Sequence, residues 1–214
     1  MSHTLGPRQA QKQQSRRALL DAGLHLLEAQ NLSSLGVREV TREAGMSPAG
    51  FYRHFRDIPD LGVTLVEESL ASLHTMVLAV LAGPGATEDS AELIDRAVAV
   101  VADHVREHRA HVRFLARERH GGVRPVRAAI AAELARFADE VAAALGTQPA
   151  SEGWDEDDLR MLAELYVEHL VTTAAAYLDA PGDTPAAEDR IGLLARRQLR
   201  LISLGRRHWP AAGR

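Results

Sequence analysis

A glycine separates two short helical patterns at residues 37–55, and this arrangement constrains the fold more than any other feature of the chain. The first pattern places Val37, Val40 and Ala44 on one face at helical spacing. Gly45 follows directly, and a residue without a side chain tolerates the left-handed backbone that reverses the chain after a helix. The sequence therefore predicts two helices that meet at a tight turn.

The second of these helices is predicted to run to Phe55. Ser47 suits an N-cap, and Pro48 suits the first helical position, where its missing N–H costs nothing. Phe51 and Phe55 are four residues apart, so both can face the core of the domain. The segment therefore has a clear start signal and a buried aromatic face.

The outer face of this second helix is small and basic. Ala49, Arg53 and Arg56 point away from the phenylalanines, and Tyr52 lies on the flank. Arginine can pair with guanine, a methyl group can contact thymine, and hydroxyl groups can hold phosphate. The alternative is a short amphipathic helix in an ordinary helical domain. The ordered set of glycine, Ser-Pro start and aromatic pair favours a DNA-binding helix-turn-helix.

Composition favours an all-α fold for the whole chain. Of the 214 residues, 46% are apolar and only 4% are aromatic, and alanine and leucine dominate the apolar set, as in helical proteins. Glycine and proline mark most of the boundaries between about nine helices. We expect them at residues 9–30, 37–44, 47–55, 58–82, 90–107, 110–119, 125–145, 155–178 and 186–207. The predicted organisation is a three-helix DNA-binding domain at 9–57 and a larger ligand-binding and dimerisation domain at 58–209.

Charge is distributed unevenly between these two domains. The chain has a net charge of −4, yet residues 1–57 contain 8 basic and 5 acidic side chains. A basic excess at the helix-turn-helix end fits a phosphate-binding surface. Near the start of the first helix, Arg16 and Arg17 are either phosphate contacts or simply solvated. This uneven charge supports DNA binding without proving it.

Several classes of protein are disfavoured by what the sequence lacks. There is no cysteine, which excludes disulfides and thiolate zinc sites. The N-terminus has no hydrophobic signal region, and no apolar run approaches about 18–20 residues. We therefore expect a cytoplasmic protein with no transmembrane helix and no membrane partner.

In these motifs the chain resembles the TetR family of transcriptional regulators. The resemblance depends on VREV at 37–40, AGMS at 44–47 and FYRHF at 51–55, and helix order agrees over the whole chain. The sequence looks most like the FabR-like and DesT-like repressors of unsaturated fatty-acid synthesis, through residues 38–69 and through RFLARERHG at 113–121 with VRAAIAAEL at 126–134. These later segments are the more specific ones, because the C-terminal domains of the family usually diverge.

The resemblance implies a homodimer that binds a palindromic operator in double-stranded DNA. Its two recognition helices, Pro48–Phe55, would lie roughly 34–36 Å apart, one DNA turn. Carried over position by position, the phosphate contacts are Arg38, Thr41, Ser47, Tyr52 and His54, the base-facing residues are Ala49, Gly50 and Arg53, and Pro48 starts the helix. Hydroxyl side chains are common in similar proteins at positions 49 and 50, so readout here would depend more on DNA shape and on Arg53.

The resemblance also implies a small-molecule effector, a long-chain acyl-CoA, in an apolar cavity of the C-terminal domain. The candidate ligand-binding residues are Phe114, Arg117, Arg119, His120, Arg124, Tyr166 and His169. The arginines are alternatively surface ion-pair partners of Glu118 or Glu133, and the last two are alternatively residues of the core or of a dimer face. No cofactor is expected. The effector would shift the population between dimers with different spacings of their DNA-binding domains.

A second group of candidates lies between residues 104 and 111. His104, His108 and His111 have the spacing of a metal site on one continuous helix. The resemblance, however, implies a helix break near residues 108–110, and neighbouring arginines oppose a cation. We therefore expect no metal ion there, and solvated or hydrogen-bonded histidines instead.

An enzyme is the competing class of function, and it lacks a catalytic motif. The sequence has no Gly-x-Ser-x-Gly, no phosphate-binding glycine loop and no HExxH, so we expect no enzymatic activity. A remote alternative is an all-helical metal-dependent enzyme. Among regulators, the alternative to a lipid-responsive repressor is a multidrug-sensing repressor of an efflux gene.

Two wide apolar stripes near the C-terminus point to a subunit interface. The first stripe consists of Leu159, Leu162, Ala163, Tyr166 and Leu170, and the second of Ile191, Leu194, Leu201 and Ile202. Stripes of this width exceed what one packing face needs. The surplus would suit a four-helix interface between two subunits.

Overall fold

The computed structural model describes residues 6–82, 90–180 and 185–209, and within these ranges it contains nine α-helices and no strand. The predicted all-α fold is therefore confirmed. The helices are α1 (Pro7–Leu26), α2 (Val37–Glu43), α3 (Pro48–Phe51), α4 (Ile58–Ala82), α5 (Ser90–Glu107), α6 (Arg109–Glu118), α7 (Arg124–Gly146), α8 (Glu156–Asp179) and α9 (Pro185–His208). Two short 3₁₀ helices, Leu32–Ser34 and Pro149–Ser151, lie between them.

The described chain divides into two compact units. Unit 1 contains the residues up to Ser69 together with Arg113–Ile130, and unit 2 contains Leu70–Val112 together with the residues from Ala131 onward. The predicted division at residues 57 and 58 stays a prediction.

The core of unit 1 surrounds the two motif helices. Large side chains with less than 2% exposure come from α1, α2, α3, α4, α6 and α7. They include Leu19, Leu20, Val40, Phe51, Leu61, Leu65, Val66, Phe114 and Val126. Gly62 is needed for this packing, because a Cβ there would lie 2.6 Å from Leu32 Cδ2 and 2.8 Å from Val126 Cγ2. The recognition helix is thus supported by a close-packed interior.

The described residues of unit 2 form three apolar clusters. One joins Val77 of α4 with α7 and α8 through Phe137, Val141 and Leu162. A second joins α5 to α9 through Ile94, Val98, Ala195 and Leu199. The third contains Val101, Val105, Val112 and Tyr177.

Helix α4 is more apolar than the sequence analysis allowed. Residues 58–81 have a mean hydropathy of 1.4. By length and composition alone, this helix could cross a bilayer. Its first part carries Leu61, Leu65 and Val66, whose side chains are buried in unit 1. Core packing accounts for these apolar residues, so the hydropathy is weak support for a membrane span.

Candidate nucleic-acid interface

The turn after α2 is a Schellman motif. The amide of Met46 donates to the carbonyl of Thr41 at 2.8 Å, and the amide of Gly45 donates to the carbonyl of Arg42 at 3.2 Å. These bonds satisfy carbonyls that a helix end otherwise leaves free. Gly45 has φ of 64°, which confirms the left-handed conformation predicted for it.

Helix α3 begins as the sequence predicts. The Oγ of Ser47 accepts a hydrogen bond from the amide of Gly50 at 3.2 Å, and Pro48 occupies the first turn. An N-cap of this type stabilises a helix by about 1 kcal/mol.

The regular part of this helix is shorter than predicted. The α-helix covers Pro48–Phe51, and residues 52–54 form a turn. The amides of Arg53 and His54 donate to carbonyls three residues back, at 3.3 and 2.8 Å, before the amide of Phe55 donates to Phe51 at 3.0 Å. The last turn therefore tightens toward 3₁₀ geometry, as helix ends often do. The expectation of one α-helix over 48–55 was wrong in length. We call residues 47–55 the recognition segment.

The two faces of the recognition segment point as predicted. Phe51 and Phe55 are 0% and 2% exposed, and their ring centroids are 5.6 Å apart. Tyr52 is 61% exposed and meets Phe51 edge to face. Ala49 and Arg53 are exposed as well. The buried rings fix the segment to its own unit, and the outer side chains remain free for a partner.

The other residues expected to contact DNA lie near this surface, with one exception. Arg38, Ser47 and Pro48 are exposed, and Gly50 and His54 are half-buried. Thr41, in contrast, is 2% exposed, and its Oγ1 donates to the carbonyl of Arg38 at 3.2 Å. Because its hydroxyl is used inside the unit, we leave Thr41 out of the proposed phosphate contacts.

His54 lies within a group of cations. Burial lowers the pKa of its imidazole below the usual 6.5, and the charges of Lys12, Arg16 and Arg53 lower the pKa further. The ring is therefore neutral at pH 7. The sequence analysis did not identify Lys12. Its i, i+4 spacing from Arg16 on one helix was the available signal.

The structure divides the expected ligand-binding residues between the two units. Phe114 and Arg117 lie in unit 1, as do Arg119, His120 and Arg124, whereas Tyr166 and His169 lie in unit 2. Phe114 is 2% exposed and belongs to the core. Arg119 is half-buried, and His120 and Arg124 are exposed.

Arg117 is bound to the backbone after α1. Its Nη1 donates to the carbonyls of Leu27 and Gln30, each at 3.0 Å. A guanidinium there satisfies carbonyls beyond the end of a helix. This observation favours a structural role for Arg117 over contact with an effector phosphate.

Glu118 also binds the backbone, but at an amide and not at a carbonyl. The side chain is 1% exposed, and its Oε1 accepts from the amide of Leu32 at 2.9 Å. The sequence analysis treated Glu118 only as a surface ion-pair partner. Its burial comes from packing between segments 86 residues apart.

Tyr166 and His169 of α8 are both half-buried. Burial raises the pKa of Tyr166, whereas nearby Arg206 and a hydrogen bond with Ser203 lower it. Burial lowers the pKa of His169, and a hydrogen bond to the backbone at Ala195 opposes that shift. The Nε2 of His169 is buried without a hydrogen-bond partner, so it can donate to or accept from a bound polar group.

The three histidines near residue 108 do not share one helix. Helix α5 ends at Glu107 and α6 begins at Arg109, so the predicted break is confirmed. The rings of His104 and His108 have centroids 4.7 Å apart. Among residues 6–82, 90–180 and 185–209, no group of three His, Cys, Asp or Glu side chains has the arrangement of a metal site.

Exposed apolar side chains of unit 2 concentrate on α8 and α9. Their exposures reach 71% for Leu201 and 55% for Leu194, and the others are Met161, Leu165, Leu193 and Leu204. On α9, Leu194 and Leu201 belong to the predicted stripe. On α8 the predicted stripe faces inward, since Leu162 and Ala163 are 4% and 0% exposed. The exposed residues there are Met161 and Leu165.

Two family models match most of the chain. One, described as bacterial regulatory proteins of the tetR family, matches residues 19–61 and so includes the recognition segment. The other, described as a tetracyclin repressor-like C-terminal domain, matches residues 91–200.

Solved structures share the fold over nearly the whole length. The fatty acid degradation regulator FadR from Bacillus halodurans has a TM-score of 0.68 at 14% identity, covering 94% of this chain and 97% of that one. The regulator PfmR from Thermus thermophilus has a TM-score of 0.60 at 19% identity, with coverages of 87% and 97%. AibR, in complex with isovaleryl coenzyme A and operator DNA, has a TM-score of 0.62 at 16% identity, with coverages of 86% and 97%.

Proposed function

Because this chain belongs to the tetR family of bacterial regulatory proteins, we propose that it is a cytoplasmic repressor of lipid-metabolism genes that responds to a long-chain acyl-CoA. At the coarser level it is a TetR-type DNA-binding transcriptional regulator, and its family and fold are those of regulators and not of enzymes. The target genes and the effector are the proposed part.

One observation supports the DNA-binding surface above all. The buried rings of Phe51 and Phe55 fix the recognition segment to unit 1. The side chains of Ala49, Tyr52 and Arg53 are exposed on its outer face. Such a rigid, small and basic ridge can enter a major groove, where Arg53 would pair with a guanine and Tyr52 would donate to a phosphate. Arg38, Ser47 and His54 complete the proposed phosphate contacts, and Pro48, Ala49 and Gly50 form the edge nearest the bases.

The homodimer would form through the exposed apolar face of α8 and α9. Leu194 and Leu201 are seven residues apart on α9, so they repeat on one side of the helix. Contiguous exposed apolar side chains of this kind mark protein–protein interfaces. A two-fold dimer then requires a palindromic operator, with recognition segments roughly 34–36 Å apart.

The proposed effector follows from the resemblance to FabR-like and DesT-like repressors, and similar structures support it. FadR is a fatty acid degradation regulator, and AibR binds isovaleryl coenzyme A together with operator DNA. His169 of α8 offers a buried ring nitrogen without a partner, which suits a thioester carbonyl, and Tyr166 lies three residues before it on the same helix. Arg119, His120 and Arg124 lie in unit 1, so their expected role at the phosphates of coenzyme A stays a prediction and is not part of this site.

The DNA-binding proposal is tested with Arg53→Ala and duplexes from the region upstream of the protein's own gene. We expect the variant to lose about 1–3 kcal/mol of specific binding free energy and its preference at one base position. Arg136→Ala, at an exposed position on α7 in unit 2, removes the same charge and should leave affinity unchanged. Equal operator affinity of wild type and Arg53→Ala would remove Arg53 from the proposed readout.

The effector proposal is tested by titrating the protein–operator complex with oleoyl-CoA, with free coenzyme A and with a lipophilic cationic dye. We expect only oleoyl-CoA to change operator affinity, and His169→Leu to weaken that response while leaving operator binding intact. Native mass spectrometry of the purified protein would identify any lipid that copurifies. A response to the dye alone would contradict the lipid proposal and favour the multidrug-sensing alternative.

A further inference from the structure

Helix α1 extends well ahead of the segment that is common to the family. It begins at Pro7, whereas the N-terminal family model begins at residue 19. The first acidic residue of the chain is Asp21. The first three turns of α1 are therefore cationic and polar, and residues 8–14 are exposed.

Three of the cations in this extension share one face. Arg8, Lys12 and Arg16 are spaced four residues apart, which places them in a row along a helix. At about 1.5 Å per residue the row is about 12 Å long, comparable to three phosphates of one DNA strand at about 3.4 Å of helix axis each. We call Arg8, Lys12 and Arg16 the α1 cation row.

The α1 cation row is continuous with the recognition segment. The guanidinium of Arg16 lies 4.7 Å from the centre of the Phe55 ring, and its Nη2 donates to Thr64 Oγ1 at 3.2 Å. Lys12 and Arg16 also act electrostatically on His54. The same phenylalanine that anchors the recognition segment therefore positions one end of the row.

The adjacent Arg17 provides a contrast within the same helix turn. Its Nε lies 2.9 Å from Asp21 Oδ1, and its Nη1 lies 3.1 Å from Glu68 Oε2. The charge of Arg17 is thus balanced inside unit 1. Arg16 instead hydrogen-bonds a neutral hydroxyl and lies over an aromatic ring. It also acts electrostatically on Asp60, but that carboxylate is itself paired with Arg56, so much of the charge of Arg16 remains available to an anion.

We propose that the α1 cation row is a second DNA-binding surface, which holds the phosphates of the strand beside the groove that the recognition segment enters. The inference rests on the proposed DNA-binding function and extends it to residues before the family motif. Flexible lysine and arginine side chains on an exposed helix suit the phosphate backbone, which carries no sequence information, better than base edges.

The test is the salt dependence of DNA binding. Lys12→Gln and Arg8→Gln should each lower the affinity for operator and for unrelated duplex by about five- to tenfold at 0.1 M salt. Each should also reduce the slope of log K against log salt by about 0.9. Arg17→Gln is the matched control and should change neither quantity. Both test positions are exposed, so folding is retained, and circular dichroism of each variant verifies it.

The possible outcomes separate the two proposals. If Lys12→Gln and Arg8→Gln bind like wild type while Arg53→Ala loses sequence preference, the α1 cation row is wrong and the proposed function stands. If operator affinity falls but affinity for unrelated duplex and the salt slope do not, phosphate contact is also wrong. If the wild-type protein binds no duplex DNA even at low salt, the proposed function itself fails.

Discussion

The two units expose different chemistry, and the contrast indicates what each one binds. In the described part of unit 1, Tyr52 is the only large hydrophobic residue with an exposed side chain, and that side chain carries a hydroxyl. Unit 2 exposes leucines on α9, with Leu201 at 71%. A polar, basic surface suits a charged partner that associates reversibly, whereas a leucine face suits an interface that stays covered.

Their interiors differ as well. The buried Thr41 and Glu118 of unit 1 each have a hydrogen-bond partner. In unit 2, His104 is 3% exposed, and both of its ring nitrogens lack a partner among the described residues. A buried polar group without a partner costs stability. In unit 1 the Nδ1 of His54 also lacks a partner, but that side chain is only half-buried. The unsatisfied histidine of unit 2 is therefore the more deeply buried one.

The largest expected effect comes from making the exposed leucine face of α9 polar, which tests whether this face is the subunit interface. Leu201→Ser should convert the proposed dimer to monomer, because each subunit would lose a leucine that the interface buries, about 3–6 kcal/mol per dimer. Sedimentation equilibrium measures the change. Arg136→Ser, at an exposed position on α7, should leave the proposed dimer intact. A Leu201→Ser protein that remains dimeric at micromolar concentration would place the subunit interface elsewhere.

Removing the anchor of the recognition segment tests the rigidity of unit 1. Phe51→Ala should lower the free energy of unfolding by about 3–5 kcal/mol, because Phe51 is 0% exposed and its loss leaves a cavity. Urea denaturation measures this effect. Tyr52→Ala is the control. It should change stability by less than about 0.5 kcal/mol while weakening DNA binding. Similar stability losses in both variants would refute the inward and outward assignment.

The buried carboxylate of unit 1 offers a smaller test. Glu118→Ala should cost about 2–3 kcal/mol of stability, because the amide of Leu32 would be buried without an acceptor. Glu118→Gln keeps an acceptor oxygen and should cost clearly less. Thermal unfolding of the two variants side by side measures the difference. Equal losses would show that the side chain acts through packing and not through this hydrogen bond.

The smallest expected effect is a pH dependence of stability that comes from His104 of unit 2. Burial, and then the charges of His108 and His111, lower the pKa of His104 from 6.5 to about 4. Well above pH 6.5 the ring is neutral in both the folded and unfolded states, and it contributes no pH dependence. As pH falls through 6.5 toward 4, the unfolded state binds a proton that the folded state does not, so stability falls. The loss is about 2 kcal/mol between pH 7.5 and pH 5.

Urea unfolding of wild type and His104→Leu at pH 7.5 and pH 5 measures this loss. The leucine variant should lose about 2 kcal/mol less than wild type on acidification. His120→Leu, at an exposed position, should behave like wild type. An identical acid response of wild type and His104→Leu would show that His104 is not a buried neutral group.

Local features of the interface were predictable from the sequence. The N-cap of Ser47, the left-handed Gly45 and the inward direction of Phe51 and Phe55 all follow from rules that act within one or two helical turns. These features depend on neighbours in the chain, so the residues themselves contain the required information. The break between α5 and α6 also agreed with the expectation, but that expectation came from the family resemblance.

Only the tertiary structure decided which polar side chains are used inside the protein. Thr41 was expected at a phosphate and is buried, Arg117 was expected at an effector and binds the end of α1, and Glu118 was expected at the surface and binds Leu32. Each outcome depends on segments that packing brings together, 86 residues apart in the case of Glu118. Spacing along one helix gives the face on which a side chain lies, but the partner of that face is set by which other helix covers it.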